Sequence, residues 1–254
     1  MKAEIIKKLT DALAPLNFVH ALWLEGADAT DTADEYSDID FWADVDDAYE
    51  EQALEAVENA LGELGEIEYK YIMRHGHPKI RQRVYHLAGT SEYLLIDFCL
   101  QLHSRPSDEY EFYENDPVEA VKILFDKSGV IRLSPPPDAE KFLAENKARL
   151  EEAVYRRAQH VRAEKYVRRG MYLEAHAYYF RYVFEPLTDL LRLIHTPAHA
   201  HYYLVKISHH IPDVKRLEFF AQISSLDDIR RKIPLAGEWF DELYKKSEVQ
   251  KWLA

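Results

Sequence analysis

The sequence predicts an α+β protein in two parts: a mixed sheet flanked by helices over residues 1–133, then an α-helical bundle over 138–254. Three observations carry this. Between 18 and 132, short apolar runs are punctuated by Gly, Asp and Pro. Ser134-Pro135-Pro136-Pro137 cannot continue a helix or a central strand and reads as a stiff connector. Beyond it, apolar residues recur at helical spacing almost to the end of the chain.

The opening MKAEIIKKLTDAL has a helical pattern with charges mixed through it. FVHALWLE, 18–25, reads as a strand entering a turn at Gly26, and IDFWADV, 39–45, as a second. Ala53, Leu54, Val57 and Leu61 share one side of a helix over 48–61. IEYKYIM, 67–73, is a third strand. KIRQRVYHLAG and EYLLIDFCLQ flank a turn at Gly89–Thr90 as a hairpin. After a polar loop at 103–116, a short helix from Pro117 (VEAVKIL) is expected to lead to a small strand near Val130–Leu133.

In the second part, Leu143, Leu150, Val154 and Val161 predict one helix over 138–169, stopped at Gly170. Ala177, Phe180, Phe184, Leu187, Leu191 and Ile194 predict a more apolar helix over 171–195, central to the bundle and kinked at Pro186. Shorter helices are expected at about 199–210, 214–223, 226–232 and 237–253.

A chain of 254 residues, 47% hydrophobic and 30% charged, can bury a sizeable core without disulfides. Its formal charge of −13 disfavours extended binding to nucleic acid, which needs many phosphates neutralised. No run approaches the roughly 18 apolar residues of a membrane span, and the N-terminus lacks an apolar signal core. A cytoplasmic protein is expected, as a monomer or homodimer. The lone Cys99, within YLLIDFCL, fits a buried, inert thiol.

The chemistry concentrates in three carboxylates. Side chains alternate along a strand, so Asp38 and Asp40 share a face while Ile39 and Phe41 face a core. Asp97 lies inside the apolar run Leu94–Leu100, where an uncompensated carboxylate is costly. A divalent cation held between the strands would compensate it. Magnesium takes oxygen ligands shared between carboxylates and substrate phosphates. Two such ions can stabilise both the attacking and the leaving oxygen of an in-line displacement. Gly26 opens the loop before this site, where a glycine lets the backbone approach a phosphate closely.

At these residues the chain resembles the nucleotidyltransferase superfamily, in the branch of aminoglycoside and lincosamide nucleotidyltransferases. The family motif is Gly-Ser, ten residues, then Asp-x-Asp at the start of a strand; here Gly26-Ala27, ten residues, Asp38-Ile39-Asp40 reproduces the spacing. Asp97 matches the third carboxylate on a later strand, and a strand-rich domain followed by a helical one matches that branch's layout. The resemblance implies a nucleotidyltransferase catalytic domain at 1–133 and a helical substrate-binding domain at 138–254. It implies magnesium, two ions, on Asp38, Asp40 and Asp97. It also implies a nucleoside triphosphate contacted by Gly26, Ala27, Thr30 and Ser37, and transfer of its nucleoside monophosphate to a hydroxyl of a small molecule. The family serine is Ala27 here, with Asp28 adding negative charge beside it. Two other readings stay open: a weakened nucleotide-binding module on the same fold, and an enzyme that adenylylates protein.

Other residues admit a plainer account. Asp28, Asp31, Asp34, Asp44, Asp46 and Asp47 read as solvated loop charges. Arg156, Arg157, Arg162, Lys165, Arg168 and Arg169 either grip phosphates or form a solvated face paired with Glu151, Glu152 and Glu164. Glu174 and Glu185 sit in an apolar helix; Glu174 is a candidate general base, and Glu185 either shares that role or pairs with Arg181. Tyr172, Tyr178, Tyr179 and Tyr182 fit core packing better than an acceptor pocket. His199-x-His201 and the pair His75 and His77 do not make a recognisable zinc motif.

Overall fold

A computed structural model describes residues 1–107, 110–116 and 118–253 and divides into two compact units, Met1–Pro136 and Pro137–Ala254. The first is a mixed sheet with helices and the second is helical, as the composition of each half predicts.

In the first unit α1 (Lys2–Leu13) leads to β1 (Val19–Leu24), a single turn α2 (Gly26–Ala29), β2 (Ile39–Val45) and α3 (Glu50–Gly62). Then come β3 (Ile67–Met73), β4 (Ile80–Leu87), β5 (Ile96–Leu102), β6 (Phe112–Tyr113), β7 (Lys122–Asp126) and β8 (Leu133–Ser134). Six of these strands form one sheet in the order β3-β4-β5-β2-β1-β7, and β6 pairs with β8. β2 and β5 are parallel; the other neighbours in the large sheet are antiparallel.

Alternation divides the sheet into a dry face and a polar one. Ile39, Phe41, Ala43 and Val45 of β2 and Ile96, Phe98, Leu100 and Leu102 of β5 pack with Ile5, Leu9 and Leu13 of α1 and with Leu54, Val57 and Leu61 of α3. A sheet covered on one face by helices needs this period of two. The intervening positions carry the charges and two stacked tryptophans, Trp23 and Trp42.

The helix expected from Pro117 is corrected. Pro117 itself lies outside the described residues, as do 108 and 109 of the preceding loop. Lys122–Asp126 is a strand, paired antiparallel with β1 through Ala21↔Asp126 and Leu24↔Lys122. The run VKIL is too short for periodicity to separate helix from strand, and an open edge on β1 decided it.

The second unit continues with α4 (Leu143–Ala158), α5 (Val161–Arg168), α6 (Tyr172–Tyr179), α7 (Glu185–His195), α8 (Ile207–His210), α9 (Val214–Ala221), α10 (Leu226–Tyr244) and α11 (Ser247–Gln250). The long helix expected over 138–169 is broken at Gln159–His160. Leu150 is buried, while Val154, already off the buried face of α4, and Val161, beyond the break, are exposed. Gly170 then adopts φ +72°, which suits its helix-stopping role.

The kink expected at Pro186 takes a definite form. A π-helical turn at Phe180–Phe184 precedes α7, whose first turn holds the proline. Proline donates no N–H and crowds the carbonyl four residues back, and a widened turn accommodates both. The inserted turn also shifts the buried stripe: Ala175 and Tyr179 are buried before it, Ala177 is exposed, and Leu187, Leu190 and Leu191 are buried after it. Buried on nearly every side, α7 is the centre of this unit's core. Two helices expected at 226–232 and 237–253 are instead one, α10, with Pro234 inside it. Ile229, Ile233, Ala236, Trp239, Phe240 and Leu243 bury one continuous face, which outweighs the lost hydrogen bond. Among the described residues no helix is long and apolar enough to cross a membrane.

Candidate functional site

The polar face of the sheet gathers acids at one end. Asp40 and Asp97 are register partners on the parallel strands β2 and β5, and Asp38 immediately precedes β2. Neighbouring strands lie about 4.8 Å apart, so parallel in-register placement sets two carboxylates side by side. Such pairing is costly unless something uses the charge.

Each carboxylate has its own surroundings. The Gln82 amide of β4 donates to both oxygens of Asp97, at 2.9 and 2.7 Å. Burial pushes the Asp97 carboxyl above its usual range; Gln82 opposes this and the charge of Asp38 adds to it. Glu25, at the end of β1, accepts a hydrogen bond from the Trp23 indole at 2.9 Å. Its pKa is pushed up to about 7, chiefly by burial, with Glu119 and Asp40 raising it further and Trp23 and Arg105 opposing. Glu25 was not singled out in the sequence, although FVHALWLE ends on it directly before Gly26. Gln82 was missed too; only strand pairing brings it to Asp97.

Gly26 has φ +65°, and a Cβ there would lie 2.0 Å from Asp40 Oδ2. Both facts demand glycine: the backbone is left-handed, and the space belongs to the aspartate. The Thr30 hydroxyl donates to the Gly26 carbonyl at 3.1 Å and pairs with Thr32. Ser37 donates to Asp34 Oδ1 at 2.8 Å, closing a turn. The Ala27 carbonyl accepts from the Thr32 amide at 3.1 Å. These residues thus build the loop that returns the chain to Asp38.

Several charges read as solvated have partners. Lys2 lies 2.9 Å from Asp28, which offsets the negative charge beside Ala27. Asp44 is 1% exposed, so its assignment to a solvated loop is overturned: β2 runs to Val45 and carries it inward. The Cys99 thiol is buried and pushed up by that burial and by Asp97, Glu25 and Asp40 nearby, as suits an inert thiol.

In the second unit, Glu174 is half-buried on α6. Glu185 accepts from Arg156 at 2.8 Å rather than forming the expected bond to Arg181, and Arg156 also pairs with Glu152 at 2.7 Å. Arg157 and Arg168 line a cleft of about 560 Å³ with His160, Glu164 and Arg230. Tyr172 and Tyr179 spend their hydroxyls on the carbonyls of Ile223 and Phe220, and Tyr178 stacks with Tyr166 and Tyr182.

The donor set at Asp38, Asp40 and Asp97 suits a hard divalent ion: oxygen ligands on one face, with the Asp97 carboxyl partly desolvated and its proton affinity raised. Their oxygens are not all within 4.8 Å of one another.

No family model matches the chain, and no curated protein matches it. Among solved structures it is similar to an aminoglycoside 6-adenyltransferase from Bacillus subtilis, at 14% identity and a TM-score of 0.35, covering 99% of this chain and 89% of that one. It is also similar to a candidate nucleotidyltransferase from H. pylori, at 14% identity and a TM-score of 0.30, covering 96% and 95%. JHP933 from Helicobacter pylori gives 13% identity and a TM-score of 0.30, over 99% and 95%. At values this low the overlap identifies no family, and the chemistry is argued from the site's own residues.

Proposed function

We propose that the chain is a magnesium-dependent nucleotidyltransferase that moves a nucleoside monophosphate from a nucleoside triphosphate to a hydroxyl of a small molecule, releasing pyrophosphate. The observation that carries this reading is the in-register pairing of Asp40 with Asp97 on parallel strands, with Asp38 beside them and Gly26 held against Asp40. The Gly26-Ala27 and Asp38-x-Asp40 spacing supports it independently.

In this reading Asp38, Asp40 and Asp97 hold the magnesium. When bound, the ions neutralise the triphosphate and lower the pKa of the acceptor hydroxyl. Asp97, whose proton affinity is raised by burial, receives the hydroxyl proton. Gln82 fixes the orientation of that carboxylate and so acts as a positioning residue. Gly26 lets the backbone of the following turn approach the phosphates, with Ala27, Thr30 and Ser37 lining that loop. The family resemblance assigns acceptor selection to the helical unit, and Glu174 is the alternative to Asp97 as the general base. An aminoglycoside- or lincosamide-like compound is the acceptor class implied by the motif, in a cytoplasmic setting.

Ala27 favours one second reading, a nucleotide-binding module with weakened turnover, because it lacks the hydroxyl expected there. A panel of nucleotides and hydroxyl acceptors, assayed for pyrophosphate, separates the two. Magnesium-dependent release that disappears in Asp40→Ala supports the transferase. Magnesium-dependent nucleotide binding without release supports the module, and no binding of any nucleoside triphosphate removes both.

A further inference from the structure

A second cluster lies at the opposite end of the same strands. His20, Asp44 and His103 each offer one ligand atom, and these atoms all lie within 4.8 Å of one another. Among the described residues this is the one such group. Asp44 is four residues beyond Asp40 on β2, about 13 Å along an extended strand, so this cluster is separate from the acidic site.

Three structural details assemble it. His20 is the extra residue of a β-bulge: Val19 pairs with Val45 and Ala21 with Asp44, leaving His20 between them. A bulge re-aims a side chain, and here it sets His20 beside the end of β2. Asp44 lies on the same face of β2 as Asp40 and is almost fully buried there. His103 follows β5 directly and is anchored by its amide to the Val45 carbonyl at 2.7 Å. The two imidazoles stack with centroids 3.9 Å apart and planes 21° apart.

The contacts around these residues resemble those that orient metal ligands. His103 Nδ1 lies 2.5 Å from Asp44 Oδ1, and Gln101 donates to the other oxygen, Oδ2, at 2.7 Å. Ser128 Oγ lies 2.9 Å from His20 Nδ1 and holds the ring with Nε2 toward the acids. His20 Nε2 lies 2.8 Å from Asp46 Oδ1, so a fourth ligand, an oxygen, is at hand. His20 and Asp44 are thus each held through the ring nitrogen or oxygen that an ion would leave free, as protein ligands of zinc commonly are. Two imidazoles and a carboxylate are a borderline-soft donor set, suited to zinc rather than to magnesium. Zinc–nitrogen bonds of about 2.0–2.1 Å require tetrahedral ligand atoms about 3.3 Å apart, so small adjustments of exposed His103 complete the site.

The geometry points to a zinc-class divalent ion bound by His20, Asp44 and His103, clipping β1, β2 and the end of β5 together. This site is independent of the transferase reading. The test uses the untagged full chain, stripped with chelator and titrated calorimetrically with zinc in excess magnesium; cobalt(II) then serves as the optical probe. One equivalent of zinc should bind, and cobalt should give the intense visible bands of a four-coordinate site. His103→Ala and His20→Ala, checked for folding by circular dichroism, should each weaken zinc at least tenfold. Asp40→Asn should leave both readouts intact. Absence of zinc binding, or binding that survives in both histidine variants or vanishes in Asp40→Asn, overturns the proposal.

Discussion

The centre of α7 in the second unit and the acidic end of the sheet in the first treat their charges in opposite ways. In the second unit Arg192, Asp189 and Lys232 are matched to partners that serve the fold. Arg192, fully buried at the centre of α7, donates to the Tyr203 carbonyl at 2.8 Å, to the Val205 carbonyl and to Thr196. Asp189 accepts from Arg149 at 3.1 Å, and Lys232 donates to the carbonyls of Phe219 and Gln222. In the first unit Asp44 is paired as well, but at the acidic end of the sheet like charges add to burial: burial and Asp38 raise Asp97, and burial, Glu119 and Asp40 raise Glu25. Folding alone gains nothing from such crowding. Charges arranged against stability are a mark of chemistry, and their number at one end of a sheet is the physical case for a site there.

Substitutions should separate the two arrangements. The largest effect is expected at Asp40→Ala. Losing several kcal/mol of transition-state stabilisation lowers turnover by about 10²- to 10⁴-fold, read as pyrophosphate release. Its denaturant midpoint should hold or rise, because one of the crowded charges is gone. Arg192→Met should do the reverse, costing about 3 kcal/mol in urea unfolding as the carbonyls it serves lose their donor. A large stability loss in Asp40→Ala, or none in Arg192→Met, would break the contrast.

Glu25→Gln probes the same crowding through pH. The folded-state pKa of Glu25, about 7, lies above the ordinary glutamate value of 4.5, so the folded protein holds this proton more tightly than the unfolded chain. Glu25 therefore penalises folding fully above pH 7, and the penalty fades as pH falls towards 4.5. At pH 8 without divalent cations, Glu25→Gln should be more stable by up to roughly 3 kcal/mol, and the gain should vanish near pH 4.5. Equal stabilisation at both pH values would point to packing instead. The smallest effect is expected at Gln82→Leu. Freeing the Asp97 carboxylate should lower kcat about tenfold, or 1.4 kcal/mol, with KM for the nucleotide unchanged and the acid limb of the pH profile moved upward. A change in KM alone would remove Gln82 from its positioning role.

The strands that form the site were readable with little error. IDFWADV and IEYKYIM match β2 and β3 to the residue, because each lies between strong turn residues and carries β-branched and aromatic side chains. Where two signals competed, reading was harder. VKIL became an edge strand because β1 had an open side, and Pro234 was absorbed because α10 buries one unbroken face. The acids of the motif were visible from alternation and spacing. Glu25, Gln82 and the group of His20, Asp44 and His103 were not, since each depends on which strands become neighbours.

By itself, then, the sequence determined what local chemistry can encode: the two-part α+β layout, the period of two that turns Asp38 and Asp40 away from the core, and the glycine ahead of them. Only the tertiary structure decided that β2 and β5 run parallel with Asp40 opposite Asp97, that a bulge turns His20 towards Asp44, and that Gly26 rests against Asp40. The physical reason is one of range. Alternation and turn propensity act over a few residues. Strand order is chosen by burial of a whole face, and that choice brings together residues more than fifty positions apart.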